Sequence, residues 1–175
     1  MRIIGGKWKG LILRPPKDLP VRPTTDRAKE SLFNILENRI NFTGIYVLDL
    51  FSGTGSIALE FCSRGAEGVL AIDSSPSCVQ FIREMKNKHE IRPLEIRKAD
   101  VFAFLSKSKP EFDLIFSDAP YAHPKVQLLP SLAIKALKPN GILIIEHDHF
   151  LSLRGCEKFT EERIYGQSVF SFFHA

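Results

Sequence analysis

The sequence of 175 residues has no uninterrupted hydrophobic run long enough to cross a membrane as a helix. Its first residues also lack the order of charged, apolar and small residues that marks a secretory signal peptide. The chain contains only three cysteines, Cys62, Cys78 and Cys156, which are far apart and odd in number. Neither a disulfide framework nor a zinc site is therefore expected. These absences favour a reduced, cytoplasmic protein that does not contact a membrane.

The chain also lacks internal repeats, low-complexity tracts and linkers. With 44% apolar residues it is large enough to bury one substantial core, so a single domain over residues 1–175 is expected. The one group suggestive of a metal site is His147 and His149, beside Glu146 and Asp148. Alternation along a strand would place these side chains on opposite faces. We therefore predict a solvated loop here, and no metal.

The chain has no excess of positive over negative charge outside its first 40 residues. Residues 1–40 carry nine Lys or Arg against four Asp or Glu, whereas the remainder carries 15 against 16, within a net charge of +4. Residues 2–5 and 8–13 are predicted to pair as a small β-hairpin. In this basic N-terminal segment Lys7, Lys9 and Arg14 are candidates for phosphate contacts, and Trp8 for stacking on a base or packing on the core.

The segment Val21-Arg22-Pro23-Thr24-Thr25-Asp26-Arg27 precedes a predicted amphipathic helix. Thr24 or Thr25 is suited to cap that helix, and Asp26 to complement its positive end. Capping does not account for Arg22 and Arg27, which are candidates for phosphate binding. Apolar residues at helical spacing follow the segment and define one buried face: Ala28, Leu32, Ile35 and Leu36.

From residue 41 onward, predicted strands and helices alternate. The strands are expected near 45–50, 68–72, 93–98, 112–117 and 141–146, and the helices near 55–64, 75–88, 101–107 and 125–138. Such alternation predicts an α/β fold, a parallel sheet covered by helices on both faces. Two further strand-like runs flank Gly166 and would complete a seven-stranded sheet as an antiparallel hairpin. Ligands of such sheets bind at the carboxyl ends of the strands.

A glycine loop, Ser52-Gly53-Thr54-Gly55-Ser56, follows the first strand and opens a helix. Asp73 ends the next strand, 18 residues after Gly55, where an acid hydrogen-bonds ribose hydroxyls in nucleotide-binding units. The loop by itself is compatible with either a dinucleotide such as NAD or with S-adenosylmethionine. Asp49 favours the latter, because a carboxylate there would repel a pyrophosphate but not a cationic methyl donor.

Acids end four successive predicted strands, since Asp100 follows the third and Asp118 ends the fourth. Asp100 is placed to accept a hydrogen bond from an adenine amine. The set fits a methyl-donor site better than a hydride-transfer site. Helix capping is an alternative role for some of these acids, and for Asp100 alone it is equally well supported.

The tetrapeptide Asp118-Ala119-Pro120-Tyr121 is the most informative feature of the chain. Enzymes that methylate an exocyclic amine of a nucleobase carry [Asp/Asn]-Pro-Pro-[Tyr/Phe] at this point of the fold. The lone pair of such an amine is delocalised into the ring. A carboxylate and a backbone carbonyl can accept its two hydrogens and aim the lone pair at a methyl donor. An aromatic ring can stack on an extruded base.

Together these motifs resemble those of the bacterial guanine-N2 methyltransferases of small-subunit ribosomal RNA, the RsmD-like family. The opening strand, the Arg-Pro-Thr segment and the closing Gly166-Gln167 are the most specific points of similarity. The resemblance extends almost from end to end of the chain, over residues 1–6, 9–10, 22–27, 32–36, 49–55, 63–66, 112–116 and 166–170.

The resemblance implies a Rossmann-like class I methyltransferase fold, and methyl transfer from S-adenosylmethionine to N2 of one guanine in 16S ribosomal RNA. It also implies a substrate that is an assembled or assembling 30S subunit, and a monomeric enzyme. The acceptor would be held by Asp118, Ala119, Pro120 and Tyr121. RNA would be met by Lys7, Trp8, Lys9, Arg14, Arg22 and Arg27. The cofactor would be lined by Asp49, Phe51, Ser52, Gly53, Gly55, Asp73, Ser74, Asp100, Val101 and Asp118.

Two positions depart from the family pattern. Asp73 stands where Glu is common, which shortens the reach to the ribose by one methylene. Ala119 replaces the first proline, which keeps the backbone carbonyl but removes a fixed φ angle. Three alternatives stay open: a nucleic-acid adenine-N6 methylase, a small-molecule methyltransferase, and an RNA-binding protein with a weakened methyltransferase site.

Overall fold

All the strands of the protein belong to one sheet in the computed structural model, which describes residues 1–16, 19, 25–120 and 123–175. The strands are β1 (Tyr46–Leu50), β2 (Gly68–Asp73), β3 (Leu94–Lys98), β4 (Phe112–Asp118), β5 (Leu137–His147), β6 (Phe159–Tyr165) and β7 (Ser168–His174). The helices are α1 (Asp26–Glu37), α2 (Ser56–Ser63), α3 (Pro76–Lys88), α4 (Val101–Leu105) and the short α5 (Leu129–Ala133).

The sheet has the order β3-β2-β1-β4-β5-β7-β6, and only β7 runs antiparallel to its neighbours. The predicted α/β fold with seven strands and a closing hairpin is confirmed. The order reverses between β1 and β4, because the chain first builds outward to β3 and then returns to the other side of β1. Such a switch point leaves a crevice at the carboxyl ends of the strands.

Alternating strand residues build a core on each face of the sheet. Val47 of β1 packs in a cluster with α1, α2 and α3, which includes Phe33 and Phe61 with ring centroids 4.8 Å apart. Its neighbour Leu48 packs on the opposite face with α4 and α5. Because successive side chains of a strand point to opposite faces, these central strands are apolar throughout.

Helix α1 begins as the sequence predicts. Thr25 is its N-cap, and the Thr25 hydroxyl accepts a hydrogen bond from the Ala28 N–H at 3.2 Å. Asp26 lies in the first turn. The buried face contains Lys29 and Phe33 as well as most of the predicted apolar residues, while Ile35 is half-buried. Thr24 and Arg22 lie outside the described residues.

The helix predicted over residues 125–138 is present in a shorter and less regular form. Two 3-10 turns, Val126–Leu128 and Ile134–Ala136, flank α5. Pro130 accounts for the break, because proline is tolerated only in the first turn of a helix. Strand β5 starts inside the predicted helix, since Leu137 pairs with Phe112. Its register then shifts at a bulge around Asn140, which has φ +64°.

The predicted N-terminal hairpin is smaller than expected. Its antiparallel pairing reduces to one bridge between Arg2 and Ile12, supported by backbone hydrogen bonds such as that from the Ile3 N–H to the Leu11 carbonyl. Residues 5–10 form turns instead of strand. Gly6 lies so close to α2 that an added Cβ would stand 1.8 Å from the Ser63 carbonyl oxygen. Docking on α2, not strand pairing, therefore determines the conformation of this segment.

The solvated loop predicted around Glu146 and His147 is wrong for both residues. They end strand β5 and are buried, whereas His149 is exposed. The His147 imidazole contacts the Ser171 hydroxyl at 2.8 Å and the Asp148 carbonyl at 2.6 Å. In the described part of the chain, no three His, Cys, Asp or Glu residues are grouped to hold a metal ion. Nor does that part contain a helix of the length and hydrophobicity of a membrane span.

Candidate active site

A cavity of about 1000 Å³ opens at the carboxyl edge of the sheet, at the switch point between β1 and β4. Four strand ends contribute the loops that line it, and the start of α1 and the β6–β7 turn complete it. The size matches that of pockets that bind cofactors and small molecules. Residues that sequence reasoning assigned to a cofactor or an acceptor fall in its lining: Asp49, Phe51, Ser52, Gly53, Asp73, Ser74, Asp118, Ala119 and Pro120.

The glycine loop bends sharply on leaving β1. Phe51 has φ +57°, Gly53 +52° and Gly55 +73°, so three residues occupy the left-handed region. A Cβ added at Gly55 would meet the Ile82 side chain at 3.0 Å, which couples the loop to α3. Gly55 is the N-cap of α2 and offers no side-chain cap. The predicted strand-loop-helix arrangement is thus present, and the positive end of α2 adjoins the cavity.

Asp49 supplies the cap that Gly55 cannot. Its Oδ2 accepts a hydrogen bond from the Ala58 N–H at 3.0 Å. Burial is the main cause that raises the pKa of Asp49 to about 8; the Ala58 hydrogen bond opposes the shift, and the Asp73 charge contributes to it. A cation bound in the cavity would stabilise the Asp49 carboxylate.

Asp73 holds the loop from the end of β2. Its Oδ2 accepts from the Gly53 N–H and its Oδ1 from the Ser75 N–H, both at 2.8 Å. Each oxygen keeps lone-pair capacity for a further donor. Asp73, which is one methylene shorter than the Glu common at this position, is therefore oriented by hydrogen bonds from the neighbouring backbone. The nearby Ser52 hydroxyl is buried and has no partner among the described residues.

Asp118 stands half-buried at the end of β4, beside the loop of β1. Burial raises the pKa of Asp118 well above its ordinary value, and the charges of Glu146 and Asp49 raise it further. Ala119 is buried and Pro120 is exposed. Tyr121, the fourth residue of the tetrapeptide, lies outside the described residues.

Glu146 is an acid of the cavity that sequence reasoning missed. It is the register partner of Asp118 on the neighbouring strand β5, and its side chain lines the cavity although it is only 4% exposed. The Ser168 hydroxyl donates to its Oε1 at 2.7 Å. The signal was available, because Glu146 ends the fifth strand as the other acids end the first four.

Three predicted cofactor residues, Gly55, Asp100 and Val101, lie outside the lining of the cavity. Asp100 is exposed, and its Oδ1 caps α4 by accepting from the Ala103 N–H at 2.8 Å. Val101 is buried in the core beside α5. Phe51 connects this region to the cavity, since its ring packs edge-on to Phe102 at 6.1 Å. The capping alternative for Asp100 is therefore observed, and a role in cofactor binding remains a prediction.

The predicted RNA-binding residues divide between the cavity rim and the N-terminal segment. Arg27 lines the cavity mouth and is exposed. Lys7, Lys9 and Arg14 are exposed on the segment, and Trp8 is half-buried against the core. The Lys7 ammonium lies 5.0 Å from the Trp8 ring centroid. Arg22 cannot be placed, because it is outside the described residues.

Three features together define a class I methyltransferase. The sixth position of the seven-stranded sheet holds the one antiparallel strand, a glycine loop follows β1, and acids stand at the strand ends. A solved structure from Escherichia coli, described as a candidate methyltransferase, superposes with a TM-score of 0.85 at 26% identity, covering 99% of this chain and 97% of that one. A candidate methylase structure from Haemophilus influenzae gives 0.79 at 27% identity, covering 99% and 97%.

The chain belongs to the family described as "Conserved hypothetical protein 95", whose model matches residues 1–174. Its relatives include ribosomal RNA small subunit methyltransferase D of Escherichia coli K12, 32% identical over 83% of this chain and 71% of that protein. The protein of the same name from Haemophilus influenzae is 31% identical over 91% and 85%. The resemblance predicted from the sequence is confirmed.

Similarity extends to an enzyme named for a different acceptor. The release factor glutamine methyltransferase of Shewanella oneidensis is 30% identical over 154 residues, which covers 72% of this chain and 51% of that protein.

Proposed function

We propose that this protein transfers a methyl group from S-adenosylmethionine to N2 of a guanine in small-subunit ribosomal RNA. One observation carries the proposal: Asp49, Asp73 and Asp118 line the same cavity, in a chain whose relatives are named as small-subunit RNA methyltransferases. The residues that hold the cofactor and the acceptor are part of this proposal.

The cavity suits a cationic nucleoside cofactor. Asp49 and Asp73 line it with carboxylates, and Gly53 lets backbone approach the ligand without a side chain between them. The Ser52 hydroxyl, buried and without a partner in the described residues, is a further donor for it. We assign these four residues to the cofactor. When bound, S-adenosylmethionine supplies an electrophilic methyl group on a sulfonium.

Asp118 is assigned to the acceptor amine. Its carboxylate accepts one N2 hydrogen, and the carbonyl of Ala119 or Pro120 accepts the other, which directs the nitrogen lone pair into the cavity. As N2 gains the methyl group it becomes positively charged. Asp118 offsets that charge and accepts the proton that N2 then releases. Positioning supplies most of the acceleration, and Tyr121 is assigned to stacking on the extruded base, worth about 1–3 kcal/mol.

The RNA itself is assigned to the basic residues outside the cavity. Lys7, Lys9 and Arg14 are exposed on the N-terminal segment, and Arg27 stands at the mouth. Residues 1–40 thus serve as the RNA-contacting part of a single methyltransferase domain whose core is residues 41–175. We propose that the protein acts as a monomer on assembled or assembling small subunits in the bacterial cytoplasm.

The test is transfer of labelled methyl groups from S-adenosylmethionine to a panel of acceptors. The panel contains small subunits from a strain that lacks this gene, naked small-subunit RNA, duplex DNA and a glutamine-containing release-factor peptide. Nucleoside analysis should find N2-methylguanosine at one site, only in ribosomal material. Label in DNA adenine or in the peptide, or no transfer despite cofactor binding, would contradict the proposal.

A further inference from the structure

Glu146 lines the cavity and has one carboxyl oxygen without a hydrogen-bond partner among the described residues. Oε1 accepts a hydrogen bond from the Ser168 hydroxyl at 2.7 Å. Oε2 is buried and has no hydrogen-bond partner within the described ranges. No lysine or arginine forms an ion pair with this carboxyl in the part of the chain that the structure describes. A buried acceptor left unpaired costs about 1–3 kcal/mol, and more if it is charged. A ligand that donates a hydrogen bond would remove that cost.

The position of Glu146 indicates which donor it meets. Glu146 and Asp118 are register partners on adjacent parallel strands, which lie about 4.8 Å apart. Both point to the face of the sheet that carries Phe116 and Ile144, because residues two apart on a strand share a face. Two carboxyl groups therefore stand side by side at the cavity floor.

Guanine carries two adjacent donors, N1–H and the N2 amine, on one edge. Adenine instead places an acceptor, N1, next to its amine. A pair of neighbouring acceptors complements the guanine edge and leaves the adenine edge mismatched. We propose that Glu146 selects guanine by accepting its N1–H through Oε2 while Asp118 holds the N2 amine. This assignment rests on the proposed function and adds the residue that distinguishes one purine from the other.

The acid pair is consistent with this use. Burial raises the pKa of Glu146, although the Ser168 hydrogen bond opposes the shift, and the Glu146 charge helps to raise the pKa of Asp118. The Glu146 charge therefore opposes the ionisation of Asp118. Hydrogen-bond donors on a bound base would favour the ionised form of both acids.

The first measurement uses the wild-type protein and base analogues. Once the modified guanosine is mapped, small-subunit RNA is made by ligation with 2-aminopurine or 6-thioguanine at that nucleotide, in the assembly state that the protein modifies. 2-Aminopurine keeps the N2 amine but has no N1–H, whereas 6-thioguanine keeps N1–H and loses O6. We expect kcat/KM to fall about 10–100-fold for 2-aminopurine, the value of a hydrogen bond to a charged group. 6-Thioguanine should stay within about threefold of guanine.

The second measurement repeats the comparison with Glu146→Gln. Ser168 would keep the amide oxygen, so the amide N–H would replace Oε2 and face N1 of the base. The variant should then lose about 10–100-fold on guanine and little or nothing on 2-aminopurine, whose N1 accepts a hydrogen bond. Ser168→Ala is the matched control. Without the Ser168 hydroxyl, the amide introduced by Glu146→Gln can rotate and turn its oxygen toward N1–H of guanine. The double variant should therefore regain part of the activity on guanine.

The outcomes separate this inference from the proposed function. If the wild-type protein forms no N2-methylguanosine, the function itself is wrong. If it does, but accepts 2-aminopurine as well as guanine, Glu146 does not select the base. The inference is likewise overturned if 6-thioguanine fails as 2-aminopurine does, or if Glu146→Gln lowers activity equally on both bases. The wild-type comparison decides the question even if the variant does not fold.

Discussion

Lys29 and Glu60 form an ion pair beneath the N-terminal segment, with Nζ and Oε2 3.3 Å apart and both side chains at most 1% exposed. Glu60 also accepts the backbone N–H groups of Ile4 and Gly5 at 2.9 and 2.8 Å. Lys29 donates to the Ser56 hydroxyl at 3.1 Å, on the first residue of α2. One charge pair thus joins the basic segment, α1 and the helix that the glycine loop opens.

Removing the charge of Glu60 should destabilise the protein strongly. In Glu60→Gln the Lys29 ammonium would stay buried without its counter-ion, and breaking a buried pair typically costs about 3–5 kcal/mol. Burial already lowers the pKa of Lys29, and Glu60 opposes that shift. Urea denaturation measures the loss. Glu37→Gln is the control, because Glu37 is exposed and its partner Arg64 would keep the ion pair with Glu60; its loss should cost at most about 1 kcal/mol. Equal, small effects would contradict the anchoring role.

Asp118→Asn should abolish methyl transfer and spare the cofactor. The amide replaces one carboxylate acceptor by a donor and cannot take a proton from the methylated amine. We expect kcat to fall about 10²–10⁴-fold with S-adenosylmethionine affinity within about threefold of wild type. Asp113→Asn, at the opposite end of β4, removes the same charge outside the cavity and should leave kcat unchanged. An Asp118→Asn protein near the parent rate would show that the role is misassigned.

Cofactor affinity should depend on pH through Asp49. With a pKa of about 8 in the empty cavity, Asp49 is mostly protonated at pH 7. Its ionised fraction rises from about one tenth to about nine tenths between pH 7 and pH 9. Because a cation favours the carboxylate, binding of S-adenosylmethionine should strengthen across that range relative to Asp49→Asn. The cofactor's own amine, Asp118 and Glu146 titrate in both proteins, so Asp49→Asn controls for their effect on binding. Calorimetry should therefore compare cofactor affinity against pH in the wild-type protein and in Asp49→Asn. If the affinity of both proteins changes with pH in the same way, the assignment of Asp49 to the cofactor is contradicted.

Ala119→Pro should be tolerated and should raise activity. Asp118 is in extended conformation at the end of β4, which is the conformation that a following proline requires. Proline would also reduce the freedom of the unfolded chain and stabilise the fold by about 0.4–1 kcal/mol. We expect kcat to rise by about twofold to fivefold through better preorganisation of the acceptor site. A decrease in kcat of tenfold or more would show that the backbone at Ala119 has to adopt another conformation.

The basic segment should control the salt dependence of RNA binding. Replacing Lys7, Lys9 and Arg14 by Gln should weaken binding and reduce the slope of log K against log salt by about 2–3, as expected for up to three lost phosphate contacts. Cofactor affinity should not change. The charge-matched control replaces Arg83, Lys86 and Lys88 on α3, which do not line the cavity. Equal losses from both triples would mean that net charge, and not this segment, attracts RNA.

Local signals allowed most of the fold to be predicted. The strands from β1 to β4 are short apolar runs bounded by turns, and Gly166 marks the turn of the C-terminal hairpin. The predicted positions of these strands therefore agree closely with the structure. The helix predicted over residues 125–138 is divided into short turns, because Pro130 has no N–H to donate to the preceding turn. The N-terminal hairpin failed in extent because its shape depends on docking to Ser63, 55 or more residues away in sequence.

The residues of the cavity could be predicted from the sequence where a local motif indicated their chemical role. Glycines with acids after β1 and β2, and the tetrapeptide after β4, needed only the parallel sheet to bring them together. The position of Glu146 near the end of a strand was visible in the sequence, but its place beside Asp118 required the register of β4 against β5. The Lys29–Glu60 pair required knowledge that α1 and α2 pack side by side. Both are contacts between distant segments, and a charged residue on a buried face gives no local indication of its partner.

The central claim is that this protein methylates N2 of one guanine in small-subunit RNA, and nucleoside mass spectrometry of that RNA from cells tests it most directly. RNA from a strain lacking the gene should contain one N2-methylguanosine fewer per molecule. The wild-type gene should restore it, and the Asp118→Asn gene should not. An unchanged N2-methylguanosine content in the deletion strain, or the loss of a different modified nucleoside, would contradict the account.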